Sequence, residues 1–171
     1  MNAQPALGTA LITGASSGIG ATYAERLARR GHDLLLVARD AQRLQTLAKR
    51  LGAEYGVAVE VMPADLTLKA DVLRVEKRLR EDSTVALLVN NAGVAMNGPL
   101  ASADLDQAET MIQLNVVALT RLAAAAAANF SAAGRGGIIN LGSVVALAPE
   151  MFNAVYSATK AYVLSLSLIH I

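Results

Sequence analysis

The stretch that decides the fold is "TGASSGIG", Thr13 to Gly20. It follows a short apolar run, "TALIT", and opens a helix-like segment with Ile19, Tyr23 and Leu27 on one face and Gly31 placed to end it. A glycine-rich turn between a strand and a helix is the setting in which a dinucleotide pyrophosphate binds. Gly14, Gly18 and Gly20 remove side chains where the backbone turns tightly or a pyrophosphate comes close. The helix N-terminus adds unpaired N–H groups and the positive end of its dipole. The spacing is G-x-x-x-G-x-G rather than G-x-G-x-x-G. A merely flexible turn is the competing reading, and the strand–turn–helix setting favours the nucleotide site. The cofactor contacts expected here are Gly14, Ser16, Ser17, Gly18, Ile19 and Gly20.

Outward from this turn the pattern alternates. "DLLLVA" is a continuous apolar run, as expected of a strand buried on both faces. A helix pattern follows with Leu44, Leu47, Ala48 and Leu51, closed by Gly52. "VAVEVMPA" reads as a third strand. Thr67 is placed to cap a helix carrying Val72, Val75 and Leu79 on one face. "VALLVN" is a fourth strand, a long helical region runs from about 104 to 133, "GGIINLGS" is a fifth strand, and the segment around Tyr156 is helical again. Strand–helix repetition at this rhythm implies right-handed crossovers and a parallel sheet covered on both faces. The expected class is α/β, a doubly wound parallel sheet. The alanine run from Ala123 to Ala128 reads as a closely packed helix face.

The bulk composition narrows the classes. The 171 residues suffice for one domain, and no linker or repeat divides them. The chain is 54% hydrophobic, with a mean hydropathy of +0.41, so a membrane segment must be considered. Arg121 interrupts the longest apolar stretch, and no run reaches the roughly 18–20 residues that span a bilayer. The N-terminus lacks a basic region ahead of its apolar part, so no signal peptide is expected. Cysteine is absent, which removes disulfides and thiolate metal sites and fits a reducing cytoplasm. Fifteen basic against 14 acidic residues give no electrostatic case for nucleic acid or an anionic membrane, and no metal site is expected.

Four further motifs carry chemistry. In "VARD", after the second strand, Arg39 argues for the 2′-phosphate of NADP, with Arg43 as support, while Asp40 suits either a ribose or the cap of the next helix. In "PADL", Asp65 and Leu66 lie at the carboxyl edge of the sheet, where Asp65 suits either an adenine amino group or a turn. In "NNAG", Asn91, Ala92 and Gly93 suit either the satisfaction of strand ends or contact with a cofactor ribose. In "VYSATK", Tyr156 and Lys160 are four residues apart and share a helix face. A free tyrosine titrates near pH ~10, too high for efficient proton transfer at neutrality, and a nearby ammonium favours the phenolate. Ser143, at the end of the fifth strand, lies on the same edge and suits holding a carbonyl or alcohol oxygen.

Together, "TGASSGIG", "NNAG", Asn115 in "LNVVAL", Ser143 in "INLGSV" and "YSATK" give a chain that closely resembles the classical short-chain dehydrogenase/reductase family over about 8 to 165. The resemblance implies a Rossmann-type fold and reversible hydride transfer between NADP(H), preferred over NAD(H), and a small-molecule carbonyl or alcohol substrate. It implies Tyr156 as the acid/base and Lys160 as the residue that lowers its pKa and contacts the nicotinamide ribose. It further implies that Ser143 positions the substrate oxygen and that Asn115 holds a water in a relay to Lys160. A tolerated polar helix residue is the competing reading of Asn115, but an asparagine among good helix formers in "MIQLNVVAL" invites a reason. A homodimer or homotetramer in the cytoplasm is the expected state of the full-length protein.

The family pattern continues past the Tyr–Lys helix with another strand, a nicotinamide-contacting loop, a substrate lid and a last strand. Residues 1–165 are therefore expected to form an incomplete NAD(P)-binding Rossmann domain. The ending "LSLIHI", Leu166 to Ile171, lacks the charged residues the family carries there and matches one reading frame of a common sequencing adapter. These six residues are expected to be non-native, which leaves His170 without a role, whereas His32 reads as structural. The chain by itself is expected to be poorly soluble and weakly active, with Ala146–Asn153 forming a partial substrate wall. Two other readings stand beside the oxidoreductase: a non-catalytic NAD(P)-binding sensor or scaffold, and a sugar-nucleotide epimerase or dehydratase, whose glycine turn is usually spaced differently.

Overall fold

The computed structural model describes residues 7–96, 98–148 and 154–168. Five parallel strands, β1 (Thr9–Thr13), β2 (Asp33–Ala38), β3 (Val59–Pro63), β4 (Val85–Asn90) and β5 (Gly137–Asn140), are ordered β3-β2-β1-β4-β5. The helices between them are α1 (Gly18–Arg29), α2 (Ala41–Tyr55), α3 (Lys69–Glu81), α4 (Leu105–Ile112) and α5 (Leu119–Ala133), and α6 (Ala154–Leu168) follows β5. This is the expected doubly wound sheet of the Rossmann type.

The two faces of the sheet follow from the two-residue period of a strand. Leu11, Leu35, Val37 and Leu88 point to one side, where they pack with Val72, Val75 and Leu79 of α3 and Leu122, Ala125, Ala126 and Phe130 of α5. Ala10, Ile12, Leu34, Leu36 and Val89 point to the other, against Ala24 and Leu27 of α1 and Leu44, Ala48 and Leu51 of α2. Ala125 and Ala126, in the middle of the alanine run, are fully buried, so small side chains do bring α5 close to its neighbours. Truncating a core leucine such as Leu35 to alanine would cost about 2–5 kcal/mol.

Helices α4 and α5 are joined through a six-residue π segment, Gln113–Ala118, so Leu105–Ala133 runs as one helix of 29 residues. By length and composition it is apolar enough to cross a membrane, a length of apolar helix that the sequence reading did not anticipate. Its apolar side faces the sheet core, and Arg121 on it pairs with Glu76 of α3 at 2.6 Å, while Asn129 donates to the Leu79 and Asp82 carbonyls.

Three local expectations are corrected. Gly52 does not end α2. The helix continues one more turn and stops at Gly56, which supplies the left-handed backbone (φ 69°) of a helix C-terminus. Thr67 does not cap α3. Leu68 precedes that helix, and the Thr67 hydroxyl is turned back to donate to Asp65. Ile19 does not share the core face of α1. It is 60% exposed at the start of the helix, and the buried residues are Gly20, Ala24, Leu27 and Ala28. His32 bonds the Gly8 carbonyl oxygen through Nδ1 at 3.0 Å, as its structural reading required. Leu166–Leu168 continue α6, and Ser167 takes a hydrogen bond from Asn140. The remainder of the tail with His170, and 149–153 of the partial substrate wall, lie outside the described residues.

Candidate active site

The strand order reverses between β1 and β4. In open α/β sheets ligands bind in the crevice at this point. Here Thr13 and Asn91 stitch the two strand ends together. The Thr13 hydroxyl oxygen accepts from the N–H groups of Asn91 and Ala92, both at 3.0 Å. The Asn91 amide donates to the carbonyls of Thr13 (2.9 Å) and Gly14 (3.1 Å). Asn91 therefore serves the strand ends. Thr13, a support the sequence reading missed, has no local signal, because its partners lie 78 positions away.

The glycine turn sits on this stitch. Gly14 and Gly18 adopt left-handed backbone (φ 64° and 54°) that other residues rarely take. A Cβ on Gly20 would collide with the Gly14 carbonyl oxygen and stand 2.6 Å from Asn91 Nδ2, whereas the space in front of Gly18 is open. The N-terminus of α1 receives no side-chain cap from Ser17 and has no acidic residue in its first turn. A pinched turn, open ground before Gly18 and an uncapped positive helix end together fit a pyrophosphate.

A cleft of about 680 Å³ lies over the turn, within the range of small-molecule and cofactor sites. Gly14, Ser16, Ser17, Ile19, Arg39, Asp65, Leu66, Asn91, Ala92, Gly93, Tyr156 and Lys160 all line it. Gly18 and Gly20 shape the turn. Asn115 is buried behind Gly93, and Ser143 stands just beyond the lining residues Leu141 and Gly142. The sequence reading missed Val94, Ala95, Thr110 and Leu114 in the wall, which carry no motif.

Arg39 is exposed at one end and makes no ion pair among the described residues. Asp40 is committed elsewhere: it caps α2 by accepting from the Arg43 N–H at 2.9 Å and pairs with the Arg43 guanidinium at 3.3 Å. The cap reading of Asp40 thus holds. Asp65 accepts from both the N–H (3.0 Å) and hydroxyl (2.7 Å) of Thr67. Burial would raise its pKa, but these two bonds and the charge of Arg39 outweigh it and hold the carboxyl below its ordinary value.

At the other end, Lys160 is only 7% exposed and donates to the Leu141 carbonyl at 2.7 Å. Burial disfavours its charged form and moves its pKa below the ordinary lysine value. Tyr156, half-buried one turn earlier on α6, faces the same cleft. Tyr156 and Lys160 thus share one wall of the cleft. Ser143 precedes the short helical turn Val144–Ala146 and accepts from the Val145 N–H at 3.4 Å. Asn115 lies in the π segment, a distortion frequent at functional sites. Its Oδ1 accepts from the Val94 N–H (3.0 Å), and its Nδ2 donates to the Val94 carbonyl (2.8 Å) and to Thr159 Oγ1 (3.2 Å). A Cβ on Gly93 would meet Asn115 Oδ1 at 3.1 Å and Lys160 Nζ at 3.8 Å, so this glycine keeps open the gap between the two.

The fold is shared with known proteins. The short chain dehydrogenase family model matches residues 8–168. A short-chain dehydrogenase from Sphingobium yanoikuyae in complex with NADPH is 59% identical, with a TM-score of 0.92 over 94% of this chain and 63% of that one. The bulky-bulky ketone specific alcohol dehydrogenase from Comamonas testosteroni is 53% identical, with a TM-score of 0.93 over 95% of this chain and 66% of that one. Among curated relatives, the very-long-chain 3-oxoacyl-CoA reductase-A of Danio rerio is 34% identical over 165 residues, which make up 94% of this chain and 51% of the relative. The chain thus spans about half the length of that relative. By the extent of the match and the identity of the sheet, turn and helix arrangement, the chain belongs to the short chain dehydrogenase family of NAD(P)-dependent oxidoreductases.

Proposed function

We propose that this chain forms the cofactor-binding and proton-transfer part of a cytoplasmic, NADP(H)-preferring oxidoreductase that interconverts a carbonyl and an alcohol. The observation that carries the reading is that Tyr156 and Lys160 line the same cleft as the glycine turn. The turn and the uncapped N-terminus of α1 would hold the pyrophosphate, and Asp65 and Leu66 the adenine. Arg39 would hold the 2′-phosphate, since its exposed guanidinium makes no ion pair among the described residues while Asp40 is occupied as a cap. The nicotinamide, when bound, supplies or accepts the hydride.

The chain's own residues handle the proton. In the reducing direction the Tyr156 hydroxyl donates to the substrate oxygen, and Ser143 orients that oxygen by a hydrogen bond. Lys160, held by the Leu141 carbonyl, would favour the phenolate left behind and would contact the cofactor ribose. Asn115 and Lys160 flank the gap at Gly93, the place assigned to a relay water. The relatives at 53% and 59% identity favour a ketone with two bulky substituents as the substrate class and NADPH as the reductant.

The test uses the complete gene product. Titration by NADPH fluorescence should show binding tighter than for NADH, and a panel of bulky and small ketones should show ketone-dependent loss of NADPH absorbance. Absence of NADPH binding, or binding without turnover of any ketone in the panel, would refute the reading.

A further inference from the structure

Thr159 is almost fully buried, and its hydroxyl makes two bonds in opposite directions. It donates to the Tyr156 carbonyl at 2.8 Å and accepts from Asn115 Nδ2 at 3.2 Å. Asn115 in turn grips both the N–H and the carbonyl of Val94. An unbroken chain of hydrogen bonds thus runs from the loop after β4, through the π segment, to the first turn of α6.

Helix α6 buries mostly polar side chains. Among its described residues the buried side chains are Ser157, Thr159, Lys160 and Val163, three of them polar. Apolar packing fixes position along a broad surface, whereas a hydrogen bond fixes one direction at one point. A threonine hydroxyl returned to a carbonyl one turn back also competes with the helical ladder and bends it locally. Here that carbonyl belongs to Tyr156.

We propose that Thr159 is a positioning residue, which sets the rotation of α6 against the π segment so that Tyr156 and Lys160 present to the cleft together. The proposal rests on the reading of Tyr156 and Lys160 as the proton-transfer pair. Thr159→Val preserves shape but leaves the Asn115 donor and the Tyr156 carbonyl without the hydroxyl. Thr159→Ser keeps the hydroxyl and loses a methyl.

The experiment compares both variants with the parent in the complete gene product, by ketone-dependent NADPH oxidation, NADPH titration and the rate of acylation of Lys160 followed by mass spectrometry. Thr159→Val should lower kcat about tenfold or more, with KM and NADPH affinity changed less than about twofold, because misplacement penalises the reacting geometry rather than binding. Lys160 should acylate faster once its helix is released, and Thr159→Ser should restore both kcat and the slow acylation. A Thr159→Val protein with parental kcat overturns the proposal. So does a loss of kcat accompanied by an equal loss of NADPH affinity that serine fails to restore, which would mark general damage to the fold. If the parent binds NADPH but reduces no ketone, the functional reading fails on its own. The acylation rates then decide the matter for Thr159, and equal rates in parent and Thr159→Val overturn it.

Discussion

Lys160 Nζ lies 5.9 Å from the centroid of the Tyr156 ring, with the ammonium turned to the Leu141 carbonyl rather than to the phenol. The two side chains come from adjacent turns of α6 and meet at one wall of the cleft. The amine's direct bond fixes it to the Leu141 carbonyl, just past the end of β5. Removing either group should have a different signature.

Tyr156→Phe keeps the ring and loses the transferable proton. Turnover should fall about 10²–10⁴-fold, the typical worth of a positioned acid/base, with NADPH affinity nearly unchanged. Steady-state kinetics beside a fluorescence titration check this, and a parallel loss of affinity would count against the assignment.

Lys160→Met should change the pH dependence of stability. The folded lysine has a lowered pKa, so between that value and about 10.4 the unfolded chain binds more protons. The parent should therefore gain stability as pH rises through this window, having carried the full penalty of a buried charge below it. Lys160→Met should lack that gain. Urea midpoints at neutral and alkaline pH report the slope, and identical slopes would show that Lys160 is not desolvated in solution.

Arg39→Ser should weaken NADPH binding by about tenfold or more, equivalent to ~1.4 kcal/mol or more, and leave NADH binding almost unaffected. The parental advantage for NADPH should shrink as salt is raised, because the guanidinium is exposed. Titrations with both cofactors at two salt concentrations test this. Equal losses for both cofactors would place Arg39 away from the 2′-phosphate.

Two glycine-to-alanine changes should have opposite signs. At Gly20 the new methyl would strike the Gly14 carbonyl oxygen and the Asn91 amide, so the turn must distort, and both cofactor affinity and thermal stability should drop. At Gly52, in the interior of α2, it would meet only the Val57 carbonyl oxygen at an ordinary 3.5 Å. Gly52→Ala should stabilise by about 0.5–1 kcal/mol, the helix-propensity difference, visible as a raised melting temperature.

What could be read in the sequence was what depends on near neighbours. The continuous apolar run of β2, the heptad-like spacing of Val72, Val75 and Leu79, and the crossover rhythm all follow from local periods and yielded the sheet. Tyr156, Lys160 and the glycine turn were legible because each sits at a fixed offset from a strand end or within one helical turn. Long-range choices were not legible. Gly52 and Gly56 are both plausible helix ends by composition, and the structure takes the one at which the chain adopts a positive φ. Within the π segment, Asn115 bonds Val94, 21 positions away, and Thr159, 44 positions away. Only an unexplained asparagine in a run of good helix formers hinted at it.

The lacing of Thr13 to Asn91 bears on how a dinucleotide would be received. Because the ends of β1 and β4 are already fastened by four hydrogen bonds of 2.9–3.1 Å, the floor beneath the phosphates is rigid before anything arrives. A preorganised floor spares association the entropic cost of ordering a loop, so more of each new contact survives as net affinity. A loosened variant such as Thr13→Ala should therefore bind its cofactor with a larger unfavourable entropy, even though Thr13 itself is buried beneath the strand ends.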